Sequence, residues 1–333
     1  MPAFADLVDL ASERLGGAVL AANDEFFAPT ENLLKASRPV LREDEYTDRG
    51  KWMDGWETRR RRTPGHDWCL IRLGLPGVLR GVVVDTSHFK GNYPDSCSLE
   101  ACEAPGGPSP EELQSAAWTA VLPKSPLRGD CENAFEVTGA RRATHVRFNI
   151  FPDGGVARLR VYGVVAPDRE KLSRPGEIDL AAVEHGGLVV AASDMFFGNR
   201  HNLILPGPAR GMHDGWETRR RRGPGHDWAI VKLAGEGIVR RVEVDTTHFK
   251  GNAPESCSVE GLAAPEASAE TLADPAAPWR EILPRTPLTA HTVHTFEREI
   301  RGTGPVTHAR LNIYPDGGVA RLRLFGSLAL NPA

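Results

Sequence analysis

Residues 54–62 and 214–222 of this chain carry the same nine residues, DGWETRRRR, and each copy is followed closely by GHDW (65–68 and 225–228). Further on, VDTSHFKGN (84–92) is answered by VDTTHFKGN (244–252). These strings bring together every residue type needed for acid–base chemistry on a small anion. Arg59 and Arg60, with Arg219 and Arg220, can grip a carboxylate through the planar guanidinium fork. Lys90 and Asn92, with Lys250 and Asn252, add a point charge and an amide for substrate binding. Glu57, His66, Asp67 and His88, with Glu217, His226, Asp227 and His248, are the candidates for moving protons. Each has a plainer reading. The arginine run can be a solvated basic edge, and His88 or His248 a hydrogen-bonded core histidine. Asp54 and Asp153 can be turn residues. Histidines and carboxylates are plentiful enough to leave a divalent metal open, but no spacing among them specifies one. No cofactor is expected.

Other chemistries lack their signatures. There is no GxGxxG, no P-loop, no GxSxG and no HExxH. The five cysteines (Cys69, Cys97, Cys102, Cys131, Cys257) form no CxxC. Cys69 is replaced by Ala229 in the second copy, and Cys97 and Cys257 are expected to be small buried sulfurs.

The elements that must position these groups come in duplicate. GGAVLAANDEFFAP (16–29) matches GGLVVAASDMFFGN (186–199) at an offset of 170 residues, which falls to 160 by Asp54/Asp214. The first half therefore holds ten extra residues between Leu34 and Asp54. HVRFNIFPDGGVARLRVYG (145–163) matches HARLNIYPDGGVARLRLFG (308–326) near the end of each copy. So long a period marks a duplicated domain rather than a solenoid. The expected organisation is one repeat over 1–165, a polar linker over 166–177 and a second repeat over 178–333.

Each half reads as all-β, with short apolar alternations punctuated by Gly, Pro, Asn and Asp. Val82, Val84, Thr86 and His88 share one face of a two-residue period, which predicts that His88 points inward at a strand's end. Val146, Phe148 and Ile150 alternate, PDGG turns, and Ala157, Leu159 and Val161 alternate again, predicting a hairpin. The Trp of GHDW is expected in the core. PEELQSAAW (110–118) is the best of a few short helical candidates. Many short strands at this spacing point to a sandwich, and a jelly roll comes first.

Composition limits what the protein can contact. The 333 residues carry a net charge of −4, with 41% hydrophobic and 25% charged residues, which argues against a general nucleic-acid coat. No window approaches the ~20 apolar residues of a membrane span. The first residues, MPAFADLVDLASERLGG, carry acids and lack the apolar stretch of a signal peptide. A cytoplasmic protein with reduced thiols is the resulting expectation, with homo-oligomerisation left open.

Taken in order, DGWETRRRR, GHDW, VDTSHFKGN with PDSCS, and RFNIFPDGGVARLRVYG resemble the allantoicase (allantoate amidinohydrolase) family across nearly the whole chain. The resemblance implies two tandem jelly-roll domains of the galactose-binding-like type. It also implies hydrolysis of allantoate, the small-molecule partner, to ureidoglycolate and urea in purine and allantoin breakdown. The rival is a non-catalytic jelly roll that binds a small ligand or carbohydrate. Shared loop residues that titrate favour the enzyme.

Overall fold

The computed structural model describes residues 2–137, 141–172, 174 and 176–329. Residues 173 and 175 of the expected linker, and 330–333 of the expected second repeat, lie outside the described residues. The chain divides into two compact units, Met1–Ala166 and Pro167–Ala333. A short helix, Arg169–Leu172, stands at the start of the second.

In the first unit one long strand, Asp67–Asp85, organises everything else. Its first half pairs with Ala18–Ala22 on one side and Arg142–Phe151 on the other. Its second half pairs with Arg158–Val165 and Glu132–Glu136. The strand thus serves both layers of a sandwich, and the sequence LGLPG at 73–77 lies where it changes partners. A side chain at Gly77 would put a Cβ 2.6 Å from the Val164 carbonyl oxygen, so only glycine lets the partner strand pass this closely. From Arg142–Phe151 the sheet continues through Ser96–Cys102 to Thr119–Pro126. The second unit repeats the plan around Asp227–Asp245, with Leu188–Ala192, Val306–Tyr314, Val293–Phe296 and Arg321–Leu328 as partners. The α-helices are four or five residues long, and PEELQSAAW contributes one over Pro110–Gln114. The fold is all-β, two tandem jelly-roll sandwiches. No helix among the described residues is long and apolar enough to cross a membrane.

The alternations predicted from sequence do fill the core. Val82, Val84, Val146, Phe148, Ile150, Ala157, Leu159 and Val161 are fully buried, and so are Cys97 and Cys257. Three expectations need correction. The segments around PDGG do not form a hairpin: Arg142–Phe151 and Arg158–Val165 both pair with the long strand and not with each other. Alternation assigns a face, and both strands use the same face against the same core. The long strand also ends at Asp85, so the period does not reach His88, which leaves the strand in the left-handed region with φ +71°. Trp68, expected in the core, is only half-buried; the fully buried tryptophans are Trp56 and Trp216 of DGWE.

Two structural contacts fix the loop that carries DGWETRRRR. Trp56 donates its indole N–H to the Asp24 carbonyl at 2.8 Å from inside the core. Asp54, buried, pairs with the buried Arg158 at 2.6 Å and also accepts from Lys35 and the Val40 N–H. Arg321 and Asp214 repeat the pair at 3.3 Å. The aspartate of DGWE is therefore a framework residue.

Candidate active site

Glu57 follows Trp56 in a two-residue strand that pairs with Gly155–Val156. Burying Trp56 turns Glu57 to the opposite side, where it is half-buried. There it lines a cavity of about 310 Å³ together with His88, Lys90 and Asn92. The Asn92 amide donates to Glu57 Oε1 at 2.7 Å. Burial raises the pKa of Glu57 above its ordinary carboxylate value, and the Asn92 hydrogen bond offsets only part of that. A carboxyl that holds its proton more firmly than usual suits general acid work near neutral pH. In the second repeat Asn252 holds Glu217 in the same way, at 2.5 Å.

His88 is placed by backbone rather than by strand period. Its φ of +71°, and +76° at His248, is uncommon for any residue except glycine and asparagine-like types. The surrounding loop pins it: the His88 N–H donates to Asp130 Oδ1 at 2.7 Å, and the Thr86 hydroxyl donates to the Arg128 carbonyl at 2.6 Å. Phe89, next along, is fully buried and anchors the turn. The His88 ring Nε2 lies 3.4 Å from the Pro39 carbonyl, and that of His248 2.9 Å from the Ala209 carbonyl. A carbonyl can only accept, so Nε2 carries the hydrogen and Nδ1 is left as the acceptor of the neutral ring. Lys90 is 77% exposed, with its ammonium 4.0 Å from Asp130.

The remaining predicted site residues lie elsewhere. Arg59 and Arg60 line a separate open hollow of about 370 Å³ with Asp67, and this hollow shares no lining residue with the Glu57 cavity. Arg59 is spoken for by Asp24 at 2.6 Å, as Arg219 is by Asp194 at 3.2 Å. Asp67 is buried and accepts from Arg61 at 2.8 Å and from Asn23 at 2.8 Å. Its counterpart Asp227 accepts from Arg221 at 2.5 Å and from Ser193 at 3.0 Å. The Arg61 N–H in turn donates to Asp153. Arg60 remains exposed at the hollow's edge. His66 lines a third cavity, of about 590 Å³, over the outer face of the sheet with Trp68, Glu100, Arg147 and Asn149. It packs against Phe151 in a tilted arrangement with ring centres 4.6 Å apart, as His226 does against Tyr314 at 4.7 Å. His66 and Asp67, adjacent in sequence, thus face different hollows.

Sequence reasoning missed several residues near Glu57. Leu41, Lys51 and Met53 come from the stretch containing the ten extra residues and line its cavity. Asp130 carries the His88 loop. The drop in repeat offset was the only signal for the first three, and nothing flagged Asp130, whose counterpart by position is His291. Among the described residues no group of three or more His, Cys, Asp or Glu side chains is arranged to hold a metal ion.

Comparison with known proteins identifies the family. A family model described as the allantoicase repeat matches residues 8–166 and again 178–329. Allantoicase from Dictyostelium discoideum is 51% identical over 327 residues, covering 97% of this chain and 88% of that protein. A probable allantoicase from Pseudomonas aeruginosa (strain UCBPP-PA14) is 50% identical over 324 residues, covering 97% of both. The crystal structure of allantoicase from Saccharomyces cerevisiae superposes with a TM-score of 0.80 at 34% identity, covering 96% of this chain and 92% of that one. With both repeats matched and half of all residues shared along nearly the full length, this chain belongs to the allantoicase family.

Proposed function

We propose that the protein hydrolyses allantoate to ureidoglycolate and urea, as a step of purine breakdown, and that the chemistry takes place in the cavity of Glu57, His88, Lys90 and Asn92. The observation that carries this reading is the meeting in one small cavity of a half-buried carboxyl held by an amide, an imidazole whose Nε2 faces a backbone carbonyl, and a cation. Family membership supplies the substrate.

Allantoate carries a carboxylate and two ureido groups on one sp³ carbon. Breaking one C–N bond requires a proton on the departing urea nitrogen, which Glu57 donates. The nitrogen of the remaining ureido group shares its lone pair with the carbon as the bond breaks, much as a ring oxygen does in glycoside cleavage. Water then adds to that carbon while His88 Nδ1 takes its proton, giving the hydroxyl of ureidoglycolate. Lys90 adds positive charge beside the cavity, and Asn92 keeps the Glu57 carboxyl aimed. Arg59, Arg61 and Asp67 act in this reading as the frame of the loop, and His66 and His226 lie outside the reaction.

Purified protein is expected to release urea from allantoate in a coupled ammonia assay and to leave allantoin almost untouched, because its closed ring lacks the free carboxylate. Well-folded protein that releases no urea above the enzyme-free blank would refute the enzymatic reading. The two histidine positions separate the cavities. His88→Asn keeps a residue that accepts the left-handed backbone, so it folds, and it is expected to lower kcat by about 10²-fold. His66→Asn is expected to leave kcat within a few-fold. The opposite ranking, measured at equal folded fraction, would move the chemistry to the cavity beside Phe151.

A further inference from the structure

The two repeats share Glu57/Glu217, His88/His248, Lys90/Lys250 and Asn92/Asn252, but they do not share the wall around them. The Val40 N–H donates to Asp54, and the Arg210 N–H donates to Asp214, so these two positions correspond. Between them and the aspartate the first repeat has thirteen residues, 41–53, where the second has three, Gly211, Met212 and His213. The longer stretch forms a small hairpin, Tyr46–Thr47 against Gly50–Lys51. It is seated by Arg49, which donates to the Phe26 carbonyl at 3.0 Å and lies 5.0 Å over the Phe26 ring. Phe27 is half-buried there, whereas its counterpart Phe197, with no such hairpin over it, is 62% exposed.

That hairpin delivers Lys51 to the cavity of Glu57 and His88. Among the described residues its ammonium has no ion-pair partner. Lys90, by contrast, has Asp130 at 4.0 Å, which takes up part of its charge. In the second repeat the position of Asp130 is held by His291, whose Nδ1 accepts the His248 N–H at 2.9 Å. The first repeat has therefore gained both an anion beside the shared lysine and a second, uncommitted cation. An anionic substrate entering beside Glu57 needs a positive group that is not already paired, since a lone carboxylate in a half-enclosed cavity pays for its lost hydration.

We infer that Lys51, on the hairpin found only in the first repeat, is the specificity-determining ligand of the substrate carboxylate, and that the first repeat is consequently the tighter of the two sites. The inference rests on the allantoate reading and names one of its binding groups. Lys51 touches the carboxylate and not the cleaved C–N bond, so its loss weakens binding in the ground state and transition state alike.

The test uses the full chain with Lys51→Met and Lys51→Arg. Lys51→Met is expected to raise KM for allantoate by roughly ten- to a hundredfold, the usual size of a lost charged hydrogen bond, with kcat at saturation changed less than threefold. Lys51→Arg, which keeps the charge, should bring KM back to within threefold of wild type. Titration calorimetry with N-carbamoylglycine, a carboxylate with one ureido group and no bond to cleave by this route, should show the same ordering of affinities. A Lys51→Met variant whose KM and N-carbamoylglycine affinity both stay within twofold of wild type would overturn the inference. So would a Lys51→Arg variant as impaired as the methionine. Absence of urea release by the wild type would instead count against the proposed function, whatever the lysine variants do.

Discussion

Replacing Glu57 and Glu217 together by glutamine is expected to lower kcat for allantoate by roughly 10²–10⁴-fold while the protein folds as well as before or better. Glutamine keeps the size of the side chain and can still accept from Asn92 and Asn252. What it loses is the proton that must reach the departing urea nitrogen. The stability half of the prediction follows from the raised pKa of Glu57, which burial causes. A carboxyl with a folded pKa above its unfolded value costs the fold nothing below the unfolded value. Above the folded value the ionised form is held where it is poorly hydrated, and the fold bears the cost. Glutamine removes that cost. The melting temperature of Glu57→Gln should therefore equal or exceed that of wild type at pH 7–8, and the difference should vanish as the pH falls below the ordinary carboxylate range. The single variants apportion the activity: with Lys51 only in the first repeat, Glu57→Gln alone should remove most of the turnover at allantoate concentrations well below the KM of the second repeat. A variant that unfolds in parallel with its loss of turnover would mark Glu57 as a structural group.

The second large effect concerns stability. Arg158→Met is expected to destabilise the first repeat by about 3–5 kcal/mol, the cost of leaving one partner of a buried ion pair alone. Arg158 and Asp54 are both buried, and Arg158 also donates to the Asp54 carbonyl at 2.8 Å. Methionine fills much of the stem's volume, so the loss is electrostatic and polar more than a cavity. Burial opposes the charge on Asp54, but hydrogen bonds from Arg158, the Val40 N–H and Lys35 outweigh it and hold its pKa below the ordinary value. A carboxylate of this kind contributes stability above its unfolded pKa, and the contribution is lost as the pH falls through its folded pKa. Without Arg158 the same burial favours the protonated form. The deficit of Arg158→Met, followed by denaturant unfolding, should therefore be largest near pH 7 and narrow toward pH 4. Adding Asp54→Asn should recover part of it at pH 7. A deficit under about 1 kcal/mol at neutral pH would show that Lys35 alone suffices to compensate Asp54.

Read by itself, the sequence determined the duplication, the all-β class and the identity of the core. Val82, Val84, Phe148, Ile150, Leu159 and Val161 could be named because a strand's inward face repeats every two residues, a local rule that needs no knowledge of neighbours. The family resemblance was likewise legible, because it lives in contiguous strings. The pool of polar groups was legible too, and Glu57, His88, Lys90 and Asn92 were all in it. Their grouping was not. His66 and Asp67 sit nearer to Glu57 in sequence than His88 does, yet only His88 shares its cavity. The cavity is made where loops from different strand ends converge, and that depends on which strands pair, as the misread hairpin around PDGG also shows. The arginine run looked like an anion clamp because its guanidinium partners, Asp24 for Arg59 and Asp67 for Arg61, are brought to it only by the folding of the loop against the strands. Whether a charged side chain is free for a ligand depends on who meets it across the fold. Only the tertiary structure could decide that Arg59 and Arg61 are committed to the frame and that Lys51 is not.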